Sequence, residues 1–191
     1  PAVDSNGKEY DCGEYCYLHL YGYSSTLPQF YSVDSAPGLI IGNGCVGRYL
    51  DYKYNNVSLF LTRDGGVNWF EIKKGAYIYE IGDHGGLIVI ARYGIPVDEI
   101  YYSYDEGLTW KSEIISDKKF YVRNILIEPT SSAQNFLVYG YTDREGLKGG
   151  VTIGVNFESL KMPTCGRSDY EVWTPKSSQS MHGCLLGRKV S

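Results

Sequence analysis

No apolar stretch in this chain approaches the ~18–20 residues that a membrane-crossing helix requires. Its first residues, Pro1-Ala2-Val3-Asp4, lack a basic start, an apolar run and a small-residue cleavage site, and read as the beginning of a piece of something longer. Charge of one sign is also scarce. Eighteen basic against 22 acidic residues give a net charge of −4 with no long run of either sign. That excludes a nucleic-acid partner, because duplex binding needs a concentrated basic face to displace counterions. Nowhere does an apolar stripe of 3.6-residue period persist for three turns, so no long amphipathic helix is expected. There is no phosphate loop, zinc-helix signature or nucleophile elbow, and no cofactor is expected. The three histidines, His19, His84 and His182, lie scattered along the chain and none is read as part of a catalytic pair. His84 sits in Gly82-Asp83-His84-Gly85-Gly86 and reads as a turn residue before a base or a metal ligand.

What is abundant is glycine, with 23 residues, and tyrosine, with 19. Tyrosine suits half-buried strand surfaces, where the ring packs while the hydroxyl stays wet. The pattern predicts an all-β chain of short strands. They run over 17–21, 38–42, 57–62, 67–73, 76–81, 87–92, 99–103, 109–115, 122–127, 136–141 and 151–155.

An internal repeat narrows the choice among all-β folds. Thr62-Arg63-Asp64-Gly65-Gly66-Val67-Asn68-Trp69 recurs as Ser103-Tyr104-Asp105-Glu106-Gly107-Leu108-Thr109-Trp110, roughly 40 residues on. Four strands at a period of about 40–45 residues make a propeller blade. The apolar runs Leu39–Ile41, Leu87–Ile90 and Phe136–Tyr139 are expected on each blade's innermost strand. A closed propeller needs at least four blades, so a partial propeller of about three is expected.

The repeated pattern, Ser/Thr-x-Asp-x-Gly-x-Thr/Asn-Trp, is an Asp-box. Asp64 and Asp105 can accept backbone N–H bonds across the turn. Gly66 and Gly107 supply a positive φ. Trp69 and Trp110 are expected to return into the blade and bury their rings, while Glu71 and Glu113 face solvent. A residue repeated in every unit is poorly placed to be a unique active site. Thr62, Asp64, Gly66, Trp69, Ser103, Asp105, Gly107 and Trp110 are therefore read as structural.

Five cysteines are present. Cys12 and Cys16, four apart in a turn-like segment, can close a small disulfide loop. The rival reading is half a metal site, but no second close cysteine pair accompanies it. Asn56-Val57-Ser58 is a glycosylation acceptor, usable only in the secretory pathway.

The segments around the repeats carry a resemblance that covers nearly the whole chain in order. Cys16-Tyr17-Leu18-His19-Leu20, Ser35-Ala36-Pro37-Gly38-Leu39-Ile40 and Tyr79-Glu80-Ile81-Gly82-Asp83-His84-Gly85-Gly86 resemble the closing blades of the sortilin-family propeller. Cys165-Gly166-Arg167-Ser168-Asp169-Tyr170 and Gly183-Cys184-Leu185-Leu186-Gly187 resemble the start of the cysteine-rich modules that follow it. The tail and Thr109 before Trp110 are most similar to the family's fungal vacuolar receptors.

This resemblance implies the C-terminal blades of a ten-bladed β-propeller over 1–160 and the start of a cysteine-rich module over 161–191. It implies a Cys12–Cys16 disulfide and, for Cys165 and Cys184, partners beyond the chain; a direct Cys165–Cys184 bond is the rival. Cys45 matches no family cysteine and is expected to be a buried free thiol. The implied parent is a membrane-anchored receptor of the Golgi and endosome lumen. It would bind soluble hydrolase or propeptide cargo, with the remaining blades completing its tunnel. No ligand residue carries over. Tyr93, Tyr139 and Tyr141, near strand ends, are candidate contacts, against the plainer reading that they pack between blades.

The competing class is an Asp-box sialidase or glycan-binding propeller. That chemistry needs an arginine trio on the substrate carboxylate and a Tyr–Glu nucleophile pair. None of the seven arginines sits in such a signature, and Tyr79 and Glu80, adjacent on a strand, point to opposite faces. The expectation is a binding scaffold and not an enzyme.

Overall fold

The computed structural model describes residues 4–6, 8–22, 27–51, 53, 56–145, 148–162, 166–169, 184–185 and 188–189. The chain divides into two compact units, Pro1–Leu160 and Lys161–Ser191. In the first, β1 (Tyr17–Leu20), β2 (Ile40–Gly47), β3 (Ser58–Thr62) and β4 (Phe70–Lys74) form an antiparallel sheet in chain order. Next come β5 (Tyr77–Gly82), β6 (Leu87–Arg92), β7 (Pro96–Val97), β8 (Glu99–Ser103) and β9 (Lys111–Ile114). Of these, β5, β6, β8 and β9 form the second sheet, again in chain order. The third joins β10 (Phe120–Leu126), β11 (Asn135–Tyr141) and β12 (Gly150–Asn156), with β7 paired to the free side of β10. The described part of the second unit holds a 3-10 turn at Arg167–Asp169 and a pair of short strands, β13 (Cys184–Leu185) and β14 (Arg188–Lys189).

Each of the first two sheets is a four-stranded up-and-down unit, as a propeller blade requires. Strands β3 and β5 are buried along their whole length, so they read as near-continuous apolar runs instead of alternating ones. The main core lies between the first two sheets. Ile41, Leu59 and Leu61 of one meet Tyr79, Ile81, Ile88 and Ile90 of the other. Phe157, just past β12, lies 4.9 Å from Tyr102 and 5.7 Å from Phe136 between ring centroids, joining the second and third sheets. Register sets two distinct ends. Ile40 opposite Thr62 and Ile88 opposite Ser103 put both Asp-box turns at one end. Tyr17 opposite Gly47 and Tyr77 opposite Arg92 mark the other.

Several sequence expectations are corrected. The runs at Leu39–Ile41, Leu87–Ile90 and Phe136–Tyr139 lie on or at the start of β2, β6 and β11, interior strands paired on both sides, and not on the strand that opens each sheet. Strand β2 continues past Gly42 to Gly47, because its small and polar residues are enclosed by neighbouring segments. The two-residue β7 was not legible. Glu71 does not face solvent: Ser5 donates to its carboxylate from both N (3.1 Å) and Oγ (3.0 Å), and Lys74 Nζ sits 2.8 Å away. Glu113 is exposed. The rings of Trp69 and Trp110 are half-buried, held over their own turns.

Candidate functional site

The two Asp-box turns share one hydrogen-bond pattern. Asp64 Oδ1 accepts from Thr62 Oγ1 (2.8 Å) and Asn68 N (2.8 Å), and Oδ2 accepts from Asn68 Nδ2 (2.6 Å). In the second turn Asp105 takes the same bonds from Ser103 Oγ (2.7 Å), Thr109 N (2.9 Å) and Thr109 Oγ1 (2.6 Å). The buried Thr62 and Ser103 hydroxyls in turn accept the Gly66 and Gly107 N–H groups at 3.0 and 2.8 Å. Each indole closes the turn, Trp69 Nε1 donating to Gly66 O and Trp110 Nε1 to Gly107 O. The Asn68 bonds hold the Asp64 carboxyl down at about 2, since N–H donors favour the charged form. At Asp105 burial pushes upward, but the bonds from Thr109 and Ser103 outweigh it and the net direction is down. Arg63 Nε donates to Glu106 O at 2.7 Å, tying one box turn to the next.

Two buried polar side chains that sequence reasoning missed lock neighbouring elements together. Asn43, fully enclosed on β2, donates from Nδ2 to Tyr77 O (2.8 Å) and accepts at Oδ1 from Tyr77 N (2.9 Å). Its amide thus imitates a further strand along the free edge of β5. Glu80, also on β5, is buried; its Oε1 accepts from Ile81 N at 3.0 Å, and the Tyr31 hydroxyl bonds its carboxylate. Burial pushes the Glu80 carboxyl up, and burial together with the Glu80 carboxylate lifts the Tyr31 phenol to about 12. Tyr79 points the other way, its hydroxyl held by the Pro28 and Gln29 carbonyls. The signal for Asn43 was present in the sequence: a polar side chain inside an otherwise apolar or small-residue strand.

At the end opposite the Asp-boxes lies a cavity of about 370 Å³ between the second and third sheets. Tyr93, Tyr121 and Tyr141 line it with Arg123, Arg144 and Glu145. Of the candidate contacts, Tyr93 and Tyr141 are brought together here; Tyr139 is not among its lining residues. The same end of the first sheet carries Arg48, whose guanidinium carbon lies 4.6 Å from the Tyr15 ring and 5.2 Å from the Tyr49 ring. A smaller cavity of about 250 Å³ opens at the Asp-box end beside His84, Arg63 and Glu106. His84 adopts φ 55°, and its N–H donates to Ser131 O at 3.1 Å.

Cys12 and Cys16 form a disulfide with their Cα atoms 5.2 Å apart. Cys45 is buried and free. Asn56 is exposed and donates to Asp51 Oδ2 at 2.5 Å. Cys165 lies outside the described residues, and Cys184 is described only as part of β13. Among the described residues, no group of three or more His, Cys, Asp or Glu side chains could hold a metal ion.

The family profile described as "Sortilin, neurotensin receptor 3" matches residues 1–125, and its C-terminal counterpart matches residues 127–191. Vacuolar protein sorting/targeting protein 10 of Ajellomyces capsulatus (strain H143) is 35% identical over 209 residues, covering 100% of this chain and 15% of its own length. The protein of the same name from Talaromyces stipitatus is 38% identical over 202 residues, covering 98% and 13%. That of Laccaria bicolor is 34% identical over 200 residues, covering 100% and 13%. The chain therefore spans about a seventh of the length of the relatives it matches. Its all-β architecture fits propeller blades, and the relatives are sorting receptors and not enzymes. The chain belongs to the sortilin/Vps10 family.

Proposed function

We propose that this chain is part of the luminal ligand-binding region of a receptor that carries soluble hydrolases from the Golgi to the endosome and vacuole. The observation that carries the reading is the end-to-end match, 98–100% of the chain, to proteins named for vacuolar sorting and targeting. The two box turns are stapled to themselves and to each other, as suits a rigid scaffold whose strand ends present ligand contacts. Residues 1–160 act as closing blades, and 161–191 begin the cysteine-rich module, where Cys165 and Cys184 pair with cysteines further along. The family profiles meet near residue 126 and the compact units near residue 160, so the third sheet spans both profiles, β7 and most of β10 under the first and β11 and β12 under the C-terminal one, while packing against the second sheet. Asn56, exposed beside β3, serves as a glycan acceptor in the lumen. The parent is membrane-anchored.

The test is secretion of vacuolar hydrolases from cells in which the full-length protein is deleted. Precursor hydrolase should appear in the medium and return to the vacuole on re-expression. Unchanged hydrolase retention in the deletion strain would overturn the reading.

A further inference from the structure

The strand ends opposite the Asp-boxes carry a constellation that the blade repeat does not explain. Strand β10 pairs with β11 at Tyr121–Tyr141 and Val122–Gly140, then resumes at Asn124–Tyr139, so Arg123 has no partner across the sheet. It is the extra residue of a β-bulge, and a bulge re-aims the side chain it carries. Gly140 makes room for it, since a Cβ there would fall 2.0 Å from the Tyr121 carbonyl oxygen. The bulge leaves Arg123 exposed and lining the 370 Å³ cavity. Among the described residues no carboxylate pairs with it. Tyr121 and Tyr141 flank it from the same strand pair, and Tyr93 completes the wall from the turn after β6.

The other charges of the cavity come from one loop. Asp143 Oδ2 accepts from Lys148 N at 2.6 Å and is occupied in the turn. Arg144 and Glu145 are adjacent, exposed and of opposite sign. The strand-borne charge left over is that of Arg123. A guanidinium offers planar N–H donors to a carboxylate, and the surrounding rings supply apolar area at little conformational cost. Tyrosine and arginine are also the residues over-represented at binding hot spots.

We propose that this cavity is a peptide subsite: it takes a side-chain carboxylate next to an aromatic residue in an extended segment of cargo, with Arg123 gripping the carboxylate and the tyrosines holding the ring. The same end of the first sheet carries Tyr15 and Tyr49, 43% and 69% exposed, against Arg48, with the exposed Tyr17 ring 6.4 Å from that of Tyr15. The proposal rests on the receptor reading and names its ligand chemistry.

The test uses the full-length protein and two fluorescein-labelled, end-blocked hexapeptides that differ only in glutamate or glutamine beside a phenylalanine. A charge-assisted bond contributes ~1.5–3 kcal/mol, so the glutamate peptide should bind roughly 10- to 150-fold more tightly. In Arg123→Gln the ratio should fall to near one, and in Arg123→Lys to an intermediate value. Tyr121→Ala should weaken both peptides alike. If Arg123→Gln lowers the thermal midpoint, Arg123→Lys, which keeps the charge and the aliphatic stem, serves as the alternative variant and should still reduce the ratio at least threefold. A wild-type ratio near one, or a ratio that survives these substitutions, overturns the subsite. Capture of precursor hydrolase by the wild-type protein is measured in parallel. Capture with a peptide ratio near one removes the subsite and leaves the receptor reading; loss of capture with a high ratio does the reverse.

Discussion

Replacing Asn43 with alanine isolates one contact between adjacent blades. Tyr77 opens the edge strand β5, and its N–H and C=O face away from β6, toward the Asn43 amide at 2.9 and 2.8 Å. Asn43 is 0% exposed, so water does not replace the amide once it is removed. Each buried polar group left without a partner costs ~1–3 kcal/mol, and two are orphaned here. The substitution should therefore destabilise the first-to-second-sheet contact by at least ~2 kcal/mol, about a thirtyfold shift in its opening equilibrium. Hydrogen exchange at the Tyr77 amide reads that shift directly and should quicken by about the same factor or more. Asn43→Asp should be worse at neutral pH, because a carboxylate can accept from Tyr77 N–H but repels the carbonyl. An Asn43→Ala protein whose Tyr77 amide exchanges within threefold of wild type would refute the reasoning.

Three further outcomes follow from the same geometry. Glu106 occupies, at φ 56°, the left-handed position that Gly65 holds in the first box, and a side chain there costs ~1–2 kcal/mol. Glu106→Gly should leave the thermal midpoint equal or slightly raised, since glycine's extra unfolded-state entropy offsets part of the relief; a clear fall would show that the Glu106 side chain stabilises the turn. Burial raises the Glu80 carboxyl, so the folded state binds that proton more readily than the unfolded chain and ionisation at neutral pH weighs against folding. Glu80→Gln should raise the midpoint at neutral pH, and the gain should shrink as pH falls through the raised folded value; a gain that grows on acidification contradicts this. Asp64 is held to about 2 against an ordinary 3.8, so its contribution is complete above the unfolded value and is lost as pH falls from roughly 4 toward 2. Asp64→Asn should flatten stability across that window, measured by intrinsic fluorescence of Trp69 and Trp110.

The strands were legible because most are short, bounded by glycine and arranged by local pattern. Leu87–Arg92 and Glu99–Ser103 have the ends that the pattern assigns them. The repeat likewise placed both box turns between the third and fourth strands of their sheets. What stayed hidden depends on partners distant in sequence. Glu71 looked like any outward residue of a strand after a turn, yet Ser5 from the far N-terminal segment covers it. Asn43 and Tyr77 are 34 residues apart, and no local period relates them. Arg123 is an intermediate case. Over Phe120-Tyr121-Val122-Arg123-Asn124-Ile125-Leu126 the alternation slips at two consecutive polar residues, which is the trace of a bulge in sequence.

The two ends of the sheets also differ in how far their chemistry is free to vary. At the Asp-box end, carboxylate, hydroxyl and indole are all spent within the turn itself, on its backbone and on one another. Any change there is felt first as a loosened hairpin. The opposite end bears no repeated motif, and its turns are closed by different means in each sheet: a cation over two rings at Arg48, a short strand at β7, a carboxylate–backbone bond at Asp143. Substitutions there leave the repeating staple intact. A fold built this way can hold its blades constant at one end while presenting a distinct set of side chains from each blade at the other.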